Sequence, residues 1–150
     1  MSGLEGDVLL FNTFDGGNIN MVNGQPEMTG TFATAIFLSH WGGNLKDDGL
    51  AGNKNTWWGN LNENNPSYKY ISRLQNLFFQ GVPITSGNIR RFEEAVLADL
   101  QWFKDEKIAG EISAVGSIPK LNRLGMEIDV NSPMGENTHV EYLINWQSYL

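Results

Sequence analysis

Few side chains in this 150-residue chain could carry chemistry. It has two histidines and no cysteine, which excludes disulfides, thiolate zinc sites, iron–sulfur clusters and cysteine nucleophiles together. His40 stands beside Trp41 near the end of an expected helix, and His139 lies on the polar side of an expected strand. Neither has an obvious second ligand at helical or hairpin spacing, so no metal and no cofactor is expected. There is no Gly-x-Ser-x-Gly elbow for a serine nucleophile, and Gly42-Gly43-Asn44 opens no phosphate loop with a Lys and a Ser or Thr. The stretch Asp15-Gly16-Gly17-Asn18-Ile19-Asn20 has the look of a calcium loop. It lacks the downstream Glu and the flanking helices, and is read as a tight turn.

Paired carboxylates are what remain. Glu93, Glu94, Asp99, Asp105 and Glu106 lie on or just past one expected helix, and a glycosidase needs two carboxyls about 5–9 Å apart across a cleft. Here they interleave with Arg90, Arg91, Lys104 and Lys107, a pattern that reads first as surface ion pairs. The expectation is a protein that is not an enzyme and has no catalytic residues, with glycan hydrolysis as the alternative.

The elements that must position these groups form one domain over residues 1–150. Apolar residues make up 41% of the chain, enough for a self-sufficient core. A net charge of -7 argues against binding duplex nucleic acid or an anionic membrane. No apolar run approaches the roughly 20 residues of a spanning helix, and the N-terminus lacks a basic-then-apolar signal pattern. A soluble chain made in a reducing cytoplasm is the reading.

Up to about Thr29, the apolar run Asp7 to Phe11 is followed by a turn-rich stretch and then by Asn23-Gly24 between two short runs. That dipeptide signals a hairpin, because both residues accept the positive φ of a type I′ turn. Pro26 makes its second arm short or places it at an edge. A first helix, capped by Thr29 or Thr31, runs through Phe32, Ala35, Ile36 and Phe37 to about His40 and stops at Gly42-Gly43. From Lys46 to about Asn65 a long loop rich in Gly, Asn and Asp carries Trp57-Trp58-Gly59. The two tryptophans fold back as a lid on the core, anchor a partner, or do both.

Asn65-Pro66 starts a second helix, whose apolar face is Tyr70, Ile71, Leu74, Leu77 and Phe78. A long third helix, capped by Thr85 or Ser86, buries Ile89, Phe92, Val96, Leu97, Leu100 and Phe103. Its other side exposes Arg90, Arg91, Glu93, Glu94, Asp99 and Lys104. Period two then takes over. Glu111 to Ile118 alternates weakly, Arg123 to Val130 clearly, and His139 to Trp146 clearly, with Asn131 to Asn137 as a connecting loop. The expected fold class is α+β in two layers: an N-terminal hairpin, three helices, and a C-terminal three-stranded antiparallel sheet covered by the long third helix.

The order of these features resembles the small baseplate wedge proteins of Mu-type contractile-tailed phages. The likeness runs from the Asp7 to Phe11 strand through Thr34-Ala35-Ile36-Phe37-Leu38-Ser39, Asp47-Asp48-Gly49, Trp57-Trp58-Gly59 and Ser72-Arg73-Leu74. It ends with a helix closing near Leu100-Gln101-Trp102 and a terminal strand pair. Two departures stand out. Phe103 to Lys107 replaces the Glu-Pro-Arg of better-known members, and Asn60 stands where Mu-type relatives often have Asp.

The resemblance implies a structural virion subunit, assembled in the host cytoplasm, with about six copies per baseplate. It would join a larger baseplate wedge subunit in a helical bundle and template the first tail sheath ring by strand sharing. Another small wedge or hub subunit is a further candidate partner, and no nucleic acid or membrane is involved. Under this reading the alternative becomes a tail-associated cell-wall hydrolase, and a strand-adding adaptor outside phage biology is a third. The interface candidates are Trp57, Trp58, Gly59, Arg90, Arg91, Glu94, His139 and Glu141.

Overall fold

The period-two segments pair as their alternation requires. A computed structural model of the chain describes residues 7–8, 10–13, 16–19, 21–26, 28–29, 32–43, 65 and 70–145. Six short strands come first: β1 (Asp7–Val8), β2 (Leu10–Thr13), β3 (Gly16–Ile19), β4 (Met21–Val22), β5 (Gln25–Pro26) and β6 (Met28–Thr29). They form three antiparallel pairs, β2 with β3 and β4 with β5 in succession, and β1 with β6 enclosing both in sequence. The β4–β5 turn is Asn23-Gly24, with φ of 52° and 77°, as a type I′ hairpin needs. Gly16 to Ile19, expected inside a tight turn, is instead the strand opposite Leu10 to Thr13. Glycines do not prevent pairing where the partner strand supplies the register.

Among the described residues four helices follow: α1 (Ala33–Trp41), α2 (Arg73–Phe79), α3 (Ile89–Asp99) and α4 (Gln101–Asp105). Three expected starts are corrected. Phe32, not a threonine, is the N-cap of α1. The expected second helix is not continuous: Tyr70, Ile71 and Ser72 lie outside any helix ahead of α2, Ile71 being exposed, while Pro66 lies outside the described residues. Asn88, not Thr85 or Ser86, precedes α3, and its side-chain amide donates to the Pro83 carbonyl rather than capping the helix. The long third helix is also broken at Leu100, where φ is -98° and ψ is 2°. Its apolar spacing survives the break, since Leu100 and Phe103 are both fully buried, which is why the sequence reads through it. Leu97, expected inside, is exposed.

Sheet strands β7 (Glu111–Lys120), β8 (Arg123–Asn131) and β9 (Asn137–Asn145) form an antiparallel meander in the order β7-β8-β9. Leu124, Met126, Ile128 and Val130 on β8 are buried, and Tyr142 and Ile144 on β9 join them, with Val140 partly buried. The weak alternation of β7 still makes a ten-residue strand, with a register irregularity between Ser117 and Lys120 around Pro119. Phe92 and Val96 of α3 and Phe78 and Leu74 of α2 complete one core against this face, so the architecture is α+β with helices layered on a three-stranded sheet. Helix α3 crosses β7 so closely that a Cβ on Gly116 would stand 3.0 Å from Ile89 Cγ2. A side chain there would have to push Ile89 aside by a few tenths of an ångström, so glycine suits the close approach. Among the described residues no helix is long and apolar enough to cross a membrane.

Candidate functional site

Two groups of polar residues stand out, one inside and one on the sheet. Inside, Asp99 is the correction with the most structural weight. Expected on the solvent side of the long helix, it is 4% exposed and reaches across to the start of α2. Its carboxylate accepts from Arg73 N at 2.7 Å and Leu74 N at 3.0 Å, so it caps a helix 25 residues away in sequence. The Arg73 guanidinium lies 3.7 Å from the same carboxylate. His40 Nδ1 lies 3.3 Å from Asp99 Oδ2. A carboxylate only accepts, so this contact puts the imidazole proton on Nδ1. His40, expected to lack a partner at regular spacing, therefore finds one 59 positions away. Nearby, the Ser72 hydroxyl donates to the Ser39 carbonyl and accepts from Gly43 N, and Trp102 Nε1 donates to Ser39 Oγ. This network ties α1, α2 and the α3–α4 junction together. Its two serine hydroxyls donate to the backbone carbonyls of Ala35 and Ser39, and its imidazole bonds to Asp99, which is the chemistry of a fastening.

On the sheet, the solvent face brings together residues that the sequence places far apart. His139 on β9 stands directly opposite Asp129 on β8, and Glu141 stands opposite Glu127. His139 Nδ1 is 2.9 Å from Asp129 Oδ1, and its Nε2 is 3.0 Å from Glu141 Oε1. Both ring nitrogens face carboxylates, which favours the doubly protonated imidazolium. Hydrogen bonding to Glu141 first, and then to Asp129, raises the His139 pKa above its ordinary 6.5. The hydrogen bond from His139 lowers that of Asp129 below 3.8, helped by Asn137. The carboxylates occupy the imidazole nitrogens themselves, and no cluster of three metal-ligating side chains occurs among the described residues.

The signs of these shifts fix a pH window. A raised histidine pKa contributes stability in full below 6.5, and that contribution is lost as pH rises through the folded-state value. A lowered aspartate pKa contributes above 3.8, and that contribution is lost as pH falls through its own folded value. The pair therefore supports the sheet best between the two. An NMR titration of the His139 ring should show a midpoint above that of His139 in the unfolded chain, and Glu141→Gln should bring it down. An unshifted midpoint in the folded protein would contradict the geometry.

The two edges of this sheet differ. The Gly116 amide of β7 donates to Glu93 Oε2 of α3 at 3.1 Å, so the helix occupies the middle of the β7 edge. This contact also fixes the ladder. A Gly116 N–H that points away from β8 makes Gly116–Met126 a non-hydrogen-bonded pair, and antiparallel pairs alternate. Residues Met126 and Ile128 then bond to Tyr142 and Val140, and the N–H and C=O groups of His139, Glu141 and Leu143 point outward from β9. Among the described residues no strand pairs with them, and the order of the sheet ends at β9.

The interface candidates separate accordingly. His139 and Glu141 lie together at this outer edge. Glu94 pairs with Arg90 at 2.9 Å on the exposed face of α3, and Arg91 is exposed there as well. Trp57, Trp58 and Gly59 lie outside the described residues, as do Pro66, Asp47-Asp48-Gly49 and Trp146. The helix carboxylates raised for hydrolysis have separate duties: Glu93 at the β7 edge, Glu94 on Arg90, Asp99 at the start of α2, and Asp105 on Gln101. Sequence reasoning named Glu93 and Asp99 only as carboxylates of one helix and did not foresee their partners, and it did not single out Asp129. Only Asp129 left a signal, in its alternation with the buried residues of β8.

Compared with known protein families, curated proteins and solved structures, the chain matches none.

Proposed function

We propose that this protein is a structural subunit of a contractile phage-tail baseplate, which joins the wedge through its helices and offers the outer edge of β9 to a strand of the tail sheath. The observation that carries this reading is the asymmetry of the sheet. One edge is held by Glu93, while the other ends in the outward backbone groups of three alternate residues. An edge of this kind adds a strand from another chain, because its donors and acceptors are already aligned. The order of motifs along the chain supports the same assignment, and the acidic net charge of -7 suits an assembly made by protein contacts.

The test is co-expression with a large wedge subunit and a tail sheath protein from one gene cluster, followed by pull-down and light-scattering mass. A stoichiometric complex with slowed amide exchange at His139, Glu141 and Leu143 is the expected result. A stable monomer that ignores both proteins would remove the reading.

Proline separates the edge from the fold. Glu141→Pro deletes an outward N–H and should leave the melting curve close to wild type while abolishing sheath capture. Val140→Pro deletes an N–H that bonds to β8 and should destabilise the protein by about 3 kcal/mol or more. Equal damage from both substitutions would show that the β9 edge is misassigned.

A further inference from the structure

The side chains beside the β9 edge limit what strand can lie there. On the solvent face the edge presents His139, Glu141 and Leu143 in sequence, each two residues from the next. Behind Glu141 stands Glu127, directly opposite it on β8. Like charges facing each other across strands destabilise a sheet, and an adjacent cation relieves them. His139 supplies part of that relief through Glu141 Oε1 and Asp129 Oδ1, but its imidazole reaches only two of the three carboxylates. Glu127 has no ion pair among the described residues, and Arg123 sits four positions away at the far end of β8. Leu143 is a large apolar side chain left 58% exposed, and Gly125 beside it has no side chain to cover it. The face is therefore anionic at Glu141 and apolar one step along.

We infer that the β9 edge selects a strand with a lysine or arginine opposite Glu141 and, two positions away, an apolar residue opposite Leu143, and that His139 competes with this cation for Glu141. The inference rests on strand addition at β9 and names the chemistry of the strand. Opposite charges across neighbouring strands attract, and an apolar side chain beside Leu143 removes both from water. The groups that face His139 are Asp129 and Glu141, with Glu127 beyond Glu141. At low pH the imidazolium holds Glu141. As pH rises through the His139 titration the proton leaves and the carboxylate is free for the incoming cation. A lysine on the incoming strand keeps its charge throughout, since it titrates near about 10.4. Affinity for a basic strand should therefore increase with pH over the range where histidine titrates.

Two synthetic strand peptides added to the full-length protein test this, one with Lys and Val two positions apart and one with Glu in place of the Lys. Amide exchange reports where they bind, and calorimetry reports how tightly. The Lys peptide should protect His139, Glu141 and Leu143 and bind roughly five-fold tighter than the Glu peptide, the span that one cross-strand charge pair supplies. Its advantage should grow between about pH 5.5 and about pH 8, and His139→Asn should flatten that growth. Glu141→Lys should invert the preference. Equal binding of both peptides with the edge amides protected would overturn the selectivity and leave strand addition standing. Failure of both peptides to protect those amides at millimolar concentration would overturn the selectivity and strand addition together.

Discussion

Ile144→Asp should yield no cooperatively folded protein, whereas Leu143→Asp, one residue earlier, should fold normally. The two positions alternate across β9. Ile144 is 2% exposed and faces Leu124, which has no exposure at all, while Leu143 is 58% exposed on the other side. Removing the Ile144 side chain forfeits about 2–3 kcal/mol of apolar burial. Leaving an ionised carboxylate in the core beside Leu124 adds several kcal/mol more. The whole stability of a domain of this size is about 5–15 kcal/mol, so the sum approaches or exceeds it. Leu143→Asp changes only solvent-facing surface and should stay within about 0.5 kcal/mol. Urea unfolding followed by circular dichroism distinguishes them. A cooperative transition near the wild-type midpoint for Ile144→Asp would mean that the sheet is turned the other way.

Asp99→Ala should lower stability by about 3–5 kcal/mol, since each buried donor left without its acceptor costs about 1–3 kcal/mol. Three groups lose their acceptor at once. The amides of Arg73 and Leu74 become orphan donors at a buried helix start, and His40 Nδ1 is left without a partner. His40 Nε2 has no hydrogen bond to fall back on, and the ring is wholly buried. Asp99→Asn is the informative companion. Its amide oxygen can still accept from one backbone N–H, but its NH2 group faces the other donor, so an intermediate loss is expected. Thermal melts should rank wild type above Asn above Ala. Equality of Asn and Ala would show that the carboxylate charge, rather than its two acceptor positions, carries the effect.

The sheet was legible because burial on one face leaves a period of two. Leu124, Met126, Ile128 and Val130 alternate with polar residues, and the structure buries all four. The Asn23-Gly24 turn was legible because few residue pairs accept two successive positive φ angles. The break at Leu100 was not, since helix-like apolar spacing continues on both sides of it. Asp99 was misread for a related reason. Helical periodicity assigns a residue to a face, yet a carboxylate near the end of a helix has a second use as an acceptor for another helix's free amides. Nothing local to Asp99 announces Arg73 and Leu74. The candidate site was half legible: His139 and Glu141 were named from their side of the strand, while Asp129 and the blocking role of Glu93 depend on register and helix placement, which one sequence does not display.

The capping of α2 from a distance also governs how the helices come apart. Helix α2 has seven residues, well short of the roughly 12–15 that an isolated helix needs to persist in water. Its first turn is bonded to a carboxylate that arrives only with the last turn of α3. The two helices therefore have no independent existence, and α1 is drawn into the same unit through His40. In native-state hydrogen exchange the Arg73 and Leu74 amides should open with the core of α3 rather than fray ahead of it. A chaperone or protease meeting this protein would then find the three helices either all closed or all open, with no exposed α2 to seize first.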